Sequence, residues 1–408
     1  MKRNNLYLKQ TFILSLALSF ISFAGCSDKD DKKITDEKGT EQKEKEKEKE
    51  REKGNENEKE KEPEPEPEPD PKPEPTLQEK LDALFGALES NNLFMGSIAI
   101  SQDGESLYKK SAGFTDVEEG LKAHENSKYR IGSISKVFTA VLVFKAIEEN
   151  RLSLDKTLKT LMPGVNIANA DKITIEHLLS HRSGIANYTE IESNPYSEWH
   201  FKETEKKAMI DIIVSAGSNF TPGTKTEYSN SNFALLTYIL EDAYKKRFVN
   251  ILEDLITNPL VLKNTYLGKS TDTQDNESHS YTYVNAWKKA PETHISTALG
   301  AGGIVSSPAD LLLFGKALFG GALISAESLE KMKTVQGIDL NLGAPLGMGL
   351  VQFDETLFGH PGTIDGFISA FMHCTASKRT IALTFNAFQG EFEDFLELAF
   401  IVASIVFD

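Results

Sequence analysis

Cysteine is nearly absent: the 408 residues include two, Cys26 and Cys374. Cys26 closes an N-terminal leader, and if it is modified there Cys374 has no partner. No internal disulfide and no cysteine-based metal or redox centre then remain. An excess of basic charge is missing too, with 45 Lys and Arg against 61 Asp and Glu and a formal charge of −16. The leader carries +3, residues 27–75 carry −7 and residues 76–408 carry −12. No region offers the basic face that nucleic acid needs. Apolar runs are short: Phe12–Ala24 and the stretch near the C-terminus both fall below the length of a membrane span. There is no internal repeat.

What is present begins with a layout for export. Lys2, Arg3 and Lys9 precede the apolar run, and Gly25-Cys26 follows it, as in a secretory signal. Phe23-Ala24-Gly25-Cys26 resembles a bacterial lipobox, with Phe23 where leucine is usual; cleavage before Cys26 and lipid attachment to it are implied. Asp28-Lys29-Asp30-Asp31 resembles the acidic surface-export signals of some bacterial lipoproteins. The expectation is a signal over residues 1–26 and a lipid-anchored protein of the cell envelope, the membrane face being open. The alternatives are an ordinary signal peptide or an uncleaved anchor.

Residues 27–75 are Lys/Glu and then Pro/Glu repeats with almost nothing apolar to bury, so they are expected to be disordered. At about 3.1 Å per residue, a dozen Pro-rich residues make a spacer of roughly 40 Å. A tether holding a domain off a membrane and a plain solvated tail fit this composition equally.

Globular sequence fills residues 76–408. Leu81, Leu84, Phe85 and Leu88 keep helical spacing. Ser97–Ser101, the turn Asp103-Gly104 and Ser106–Tyr108 read as a hairpin. A mostly helical middle runs from about Ser153 to Tyr244, with helices over Ile175–Ser180 (capped by Thr174), Lys206–Ala216 and Ser231–Tyr244. Ala301–Asp310 reads as a glycine turn leading into a helix. Strands over Phe367–Cys374 and Thr380–Asn386 and a last helix over about Glu393–Phe407 close the chain. This is an α+β layout in which both termini meet in one antiparallel sheet flanked by helices, with a mostly helical subdomain.

Chemistry gathers around Ser133-Ile134-Ser135-Lys136 and the apolar run after it, which reads as a buried helix. Ser133 and Lys136 would share one face, a turn apart. A serine hydroxyl needs a base within about 3 Å, and a lysine in a dry site can lose its proton and act as one. Two further motifs follow: Tyr228-Ser229-Asn230 on a turn before a helix, and His360-Pro361-Gly362 just before the penultimate strand.

In that order, Ser-x-x-Lys, Tyr-x-Asn and His-x-Gly resemble the penicillin-recognising serine hydrolases related to class C β-lactamases and D-alanyl-D-alanine carboxypeptidases. Leu178–Gly184 and Gly300–Asp310 resemble two supporting segments of that family, and the resemblance spans about Leu77 to Phe407. It implies the β-lactamase/penicillin-binding transpeptidase-like fold, no cofactor, and an acyl-enzyme on Ser133 activated by Lys136. It further implies a proton relay through Tyr228, with its pKa lowered by the neighbouring cation, and substrate orientation by Asn230. The oxyanion site would use the N–H groups of Ser133 and Thr363, with Gly362 and His360 beside the substrate.

His360 departs from the Lys-Thr-Gly of the β-lactamases: a titrating imidazole replaces the fixed cation, and Pro361 removes a hydroxyl that Thr363 could partly supply. His-x-Gly occurs in carboxypeptidase-, D-amino-acid-peptidase- and esterase-like members, so efficient β-lactamase activity is not expected. The absence of a Ser-Asp-Asn element argues against a class A enzyme. The leading substrate is a D-amino-acid peptide of peptidoglycan type, then a small ester or amide, and the contrasting reading is a non-catalytic penicillin-binding or sensor domain. His181 is expected to buttress a turn, and with His177 it lacks the further ligands a metal needs. Cys374 reads as a buried small hydrophobe, while Trp199 and Trp287 suit cleft or core alike. Oligomeric state is not readable.

Overall fold

The computed structural model describes residues 73–191 and 198–407. The leader, Cys26 and nearly all of the repeat tract lie outside the described residues. Contacts divide the chain between Thr76 and Leu77. Of the first unit only residues 73–76 are described, exposed and without regular structure. The second unit, Leu77–Asp408, carries all the described helices and strands.

It opens with α1 (Leu77–Ser90), whose Leu81, Leu84, Phe85 and Leu88 form one buried face. The hairpin of β1 (Phe94–Gln102) and β2 (Glu105–Ala112) turns at Asp103-Gly104. Both turn residues have positive φ, as a two-residue connection demands. α2 (Ser135–Glu148) buries eleven of its fourteen residues, and α3 (Asn230–Tyr244) buries ten of fifteen. Then come α4 (Ile295–Gly302), β3 (Ile304–Ser306) and α5 (Pro308–Phe319). The glycine-rich segment therefore holds a strand where the sequence suggested only a turn. Its partners, Tyr129–Arg130 and Tyr266–Leu267, are remote in sequence, and they supply the pairing that three residues alone cannot signal.

β4 (Leu357–Ile364) brings a second correction, because it takes in His360, Pro361, Gly362 and Thr363, which the sequence placed ahead of a strand. Pro361 is tolerated there for a local reason. On one side β4 pairs with Val351–Gln352 only through Phe358 and Gly359, so its edge is free of a partner strand from His360 onward. β5 (Phe367–Cys374), β6 (Arg379–Phe388) and α6 (Phe392–Phe407) complete the chain.

Among the described residues the main sheet has ten strands. Its order runs from Gly337–Asp339 through Ala344–Leu346 and Val351–Gln352 to β4, β5, β6, β1 and β2. Alternation sorts its side chains into two layers. Ile98, Ile100, Met372, Ile381 and Leu383 pack beneath α1 and α6, so the two ends of the unit share one face. Ala99, Phe371 and Ala382 face the other way, toward α5 and α2. Phe314 of α5 stacks on Phe138 of α2 at 3.7 Å and lies 6.0 Å from Phe371, which couples the helical half to the sheet. Each such fully buried side chain contributes about 1.5–3 kcal/mol. No described helix is long and apolar enough to cross a membrane.

Candidate active site

Ser133 sits in a short 3-10 turn, Gly132–Ile134, that feeds directly into α2. The turn presses against the open edge of β4. A Cβ on Gly132, whose φ is +51°, would fall 2.6 Å from the Thr363 nitrogen, and one on Gly362 would fall 2.2 Å from the Ile131 oxygen. Both positions must therefore be glycine for the two backbones to meet. The Ser369 hydroxyl donates to the Ile131 carbonyl at 3.0 Å, and Ile131 N–H donates to Ile304 of β3 at 3.0 Å, fixing the approach from both sides. Ser133 and Thr363 thereby come from two closely abutting backbones and both line the cleft.

Lys136 lies one turn on and is fully buried. Its Nζ is 3.0 Å from Ser133 Oγ, 2.7 Å from Asn230 Oδ1 and 2.6 Å from the Ala301 carbonyl. Among the described residues no acidic group pairs with it. Burial accordingly holds its pKa well below the ordinary lysine value. An amine that has given up a proton keeps two N–H groups, enough for Asn230 and Ala301, and its lone pair is then free for the Ser133 hydroxyl. The Tyr228 hydroxyl donates to Ser133 Oγ at 2.7 Å from the other side.

Tyr228 is held by two groups that its own motif does not contain. His181, itself at positive φ, accepts from Glu227 N–H through its carbonyl and from Ser229 N–H through Nδ1 at 3.0 Å. Its ring stacks on Tyr228 at 4.4 Å. His181 is thus the turn support that the sequence suggested. Asp339, 1 % exposed on a short strand of the sheet, accepts the Tyr228 N–H at 2.5 Å. No motif marked it. The expected lowering of the Tyr228 pKa is overturned: burial raises it and Asp339 adds to the rise, against a smaller opposing contribution from Ser133. A raised pKa keeps the Tyr228 hydroxyl protonated and able to donate to Ser133.

Asn230 opens α3, with Nδ2 on the Thr189 hydroxyl and N–H on Asn187 Oδ1. Lys136 therefore meets its oxygen. His360 differs from its sequence reading. It is 4 % exposed and does not line the cleft beside Ser133, although Pro361, Gly362 and Thr363 do. Its Nδ1 lies 2.5 Å from the Pro361 carbonyl, and its ring lies 6.1 Å from that of Tyr228. Burial and the proximity of Lys136 lower its pKa to about 3, so it is neutral near pH 7 and does not titrate there.

A second unheralded group ties the Ser133 and Thr363 segments together. Arg130, three residues before Ser133, is buried and ion-pairs with Glu292 and, at 3.3 Å, with Asp365, two residues after Thr363. It also donates to the Thr293 carbonyl at 2.6 Å, while the Thr293 hydroxyl donates to Asp365 at 2.6 Å. The remaining sequence candidates lie elsewhere. Trp199 packs against Tyr188, and Trp287 packs near Tyr281 while donating to Asn92. Cys374 is buried and unpaired. His177 completes a capping box with Thr174. Among the described residues no His, Cys, Asp and Glu cluster suits a metal.

A buried lysine of lowered pKa and a tyrosine hydroxyl both meet the oxygen of one serine, an arrangement suited to activating that serine as a nucleophile. The chain belongs to the β-lactamase family, whose profile matches residues 82–403. It is similar to penicillin-binding protein 4* of Bacillus subtilis (strain 168), 26% identical over 332 residues that cover 76% of this chain and 72% of that protein. It is also similar to the solved D-stereospecific amidohydrolase from Streptomyces sp., with 27% identity, TM-score 0.65, and 76% and 96% of the two chains covered. It shares its fold with D-amino acid amidase from Ochrobactrum anthropi SV3, at TM-score 0.70 and 24% identity over 79% of this chain and 97% of that one.

Proposed function

We propose that the protein hydrolyses amides or esters without a free carboxylate through an acyl-enzyme on Ser133, with D-amino-acid amides as the first substrates to test. The observation that carries the mechanism is the placement of Ser133 Oγ between the neutral amine of Lys136 and the hydroxyl of Tyr228. Ser133 passes its proton to Lys136 as Oγ bonds to the acyl carbon, and the carbonyl oxygen takes the charge between the Ser133 and Thr363 N–H groups. As the C–N or C–O bond breaks, Lys136 returns the proton to the leaving group through Tyr228. Water then attacks the acyl carbon, its proton passes by the same groups to Ser133 Oγ as the acyl–Oγ bond breaks, and the carboxylic acid leaves.

The names of the amidohydrolase and the amidase support a D-aminoacyl substrate. No Lys or Arg lines the cleft among the described residues, so a free substrate carboxylate finds no cation there. That favours an amide or ester over a carboxylate-ended D,D-dipeptide of peptidoglycan type. The test is labelling of the purified full chain with a fluorophosphonate and assay on D-alanine amide and p-nitrophenyl acetate. Labelling and turnover that both vanish in Ser133→Ala support the reading, and turnover retained in that variant refutes it. We also propose that Cys26 carries lipid and anchors the enzyme to the cell envelope, as the leader suggests. Incorporation of a palmitate analogue that survives Cys26→Ala would refute this.

A further inference from the structure

The cleft beside Ser133 has a volume of about 640 Å³, within the range of sites that hold drug-sized ligands rather than an acetyl or alanyl group alone. One flank of it is apolar. α6 is 16 residues long and has three distinct faces. Phe395, Leu398, Ala399 and Val402 are buried with the sheet, while Glu393 and Glu397 face solvent. Phe392, Leu396 and Phe400, four residues apart, all line the cleft, and Phe400 is 44 % exposed. Phe392 also packs against the core of the sheet, as does Phe353, so Leu396 and Phe400 are the apolar positions of α6 that this packing leaves over. Opposite them stand Leu346, Val351 and Phe353, and the rings of Phe353 and Phe400 meet edge to face at 5.8 Å. Among the described residues, none that lines the cleft is Lys, Arg, Asp or Glu.

We infer that this gutter binds an extended apolar chain of the substrate, so that the enzyme prefers neutral esters or amides carrying an extended alkyl or aralkyl group. This rests on the acyl-enzyme reading above and adds the chemistry of the group that occupies the site. The occupant is assigned to the substrate because the gutter and the nucleophile line one continuous cavity. Its lack of charge suits a chain without ionised groups. Each methylene transferred from water to such a surface is expected to raise kcat/KM about two- to fourfold until the gutter is filled.

The experiment uses the full chain and two substrate series. p-Nitrophenyl esters from acetate to decanoate lengthen the acyl side, and acetyl thioesters of alkyl thiols from ethyl to octyl lengthen the leaving side. A rise in kcat/KM along either series is expected, and the series that rises assigns the side. In Leu396→Asp and Phe400→Asp the ratio of longest to shortest substrate should fall at least about tenfold. Leu396→Ala is the gentler variant should an aspartate lower the melting temperature. A flat profile in both series overturns the inference, as does a ratio unmoved by Leu396→Ala and Phe400→Asp. A flat profile together with a dimer that Phe400→Asp dissociates, read by analytical ultracentrifugation, overturns it in favour of a second copy of the chain. Ser133-dependent turnover of acetate with flat profiles sinks this inference alone; no Ser133-dependent turnover of any substrate sinks the acyl-enzyme reading and this one with it.

Discussion

On one side of Ser133, Lys136 Nζ has three oxygen neighbours within 3.0 Å, and Tyr228 is gripped by ring stacking, by a carboxylate and by both flanks of its turn. On the other side, Leu346, Phe353, Leu396 and Phe400 present only carbon. Hydrogen bonds are directional and lose their worth over a few tenths of an ångström, whereas apolar burial is graded by area. The polar side therefore fixes which bond breaks and tolerates little change. The apolar side sets how strongly a given substrate is drawn in and should respond gradually.

The comparison breaks most sharply at Lys136. Lys136→Met removes the amine placed to take the Ser133 proton and should lower kcat on p-nitrophenyl acetate by about ten-thousandfold, the upper end for a general base. In the unaltered enzyme kcat/KM should rise with pH through the lowered Lys136 pKa and stay flat above it, because the amine acts when unprotonated. An inflection at the ordinary lysine value of 10.5 would contradict this assignment. Tyr228→Phe keeps the ring against His181 and deletes the hydroxyl, and about a hundredfold loss in kcat is expected. A loss below threefold would remove Tyr228 from the relay.

Most of the polar cluster was legible in the sequence because each member travels in a short local pattern. Ser133 and Lys136 share a helix turn, and Tyr228 and Asn230 share a helix entry. The groups that hold them were not legible. Asp339 lies 111 residues from Tyr228 in the chain, and Asp365 lies 235 from Arg130, so pairing depends on sheet register that no local spacing encodes. β4 was not read as a strand, because the open edge that accepts Pro361 within it is a tertiary fact. The apolar positions Phe392, Leu396 and Phe400 were not singled out, because a strongly apolar helix gives no hint of which face meets the sheet and which the cleft.

A smaller effect is expected where support, not chemistry, is removed. Asp365→Asn weakens the bridge between the segments that carry the Ser133 and Thr363 N–H groups. Because misplacement by about 1 Å can cost up to a hundredfold, kcat should fall about tenfold while KM moves less than twofold. Breaking the pair should also lower stability by about 3 kcal/mol, the low end for a buried ion pair. A lower melting temperature with unchanged kcat would make the Arg130–Asp365 pair a fold element with no hand in oxyanion placement.

The smallest effect sharpens the boundary between the two sides and is read in stability. His360 is held near a pKa of about 3, against 6.5 in an unfolded chain, with Lys136 and the Tyr228 ring on one side and the Pro361 carbonyl on the other. His373 is lowered to about 4 by burial, and His181 lies well below its ordinary value. Between the unfolded and folded values the denatured chain binds a proton that the native chain refuses. Stability is therefore fully present above about pH 6.5 and is lost as the pH falls toward 3. At pH 5 the 1.5-unit gap from 6.5 corresponds to about 2 kcal/mol for His360. His360→Gln keeps a polar group of similar size without a titrating ring. Urea unfolding at pH 7 and pH 5 should show the variant losing about 2 kcal/mol less than the unaltered protein over that interval. An equal loss in both would mean that His360 takes up its proton in the folded state. The imidazole would then act as the titrating cation that the sequence alone suggested, and the polar side of Ser133 would carry charge after all.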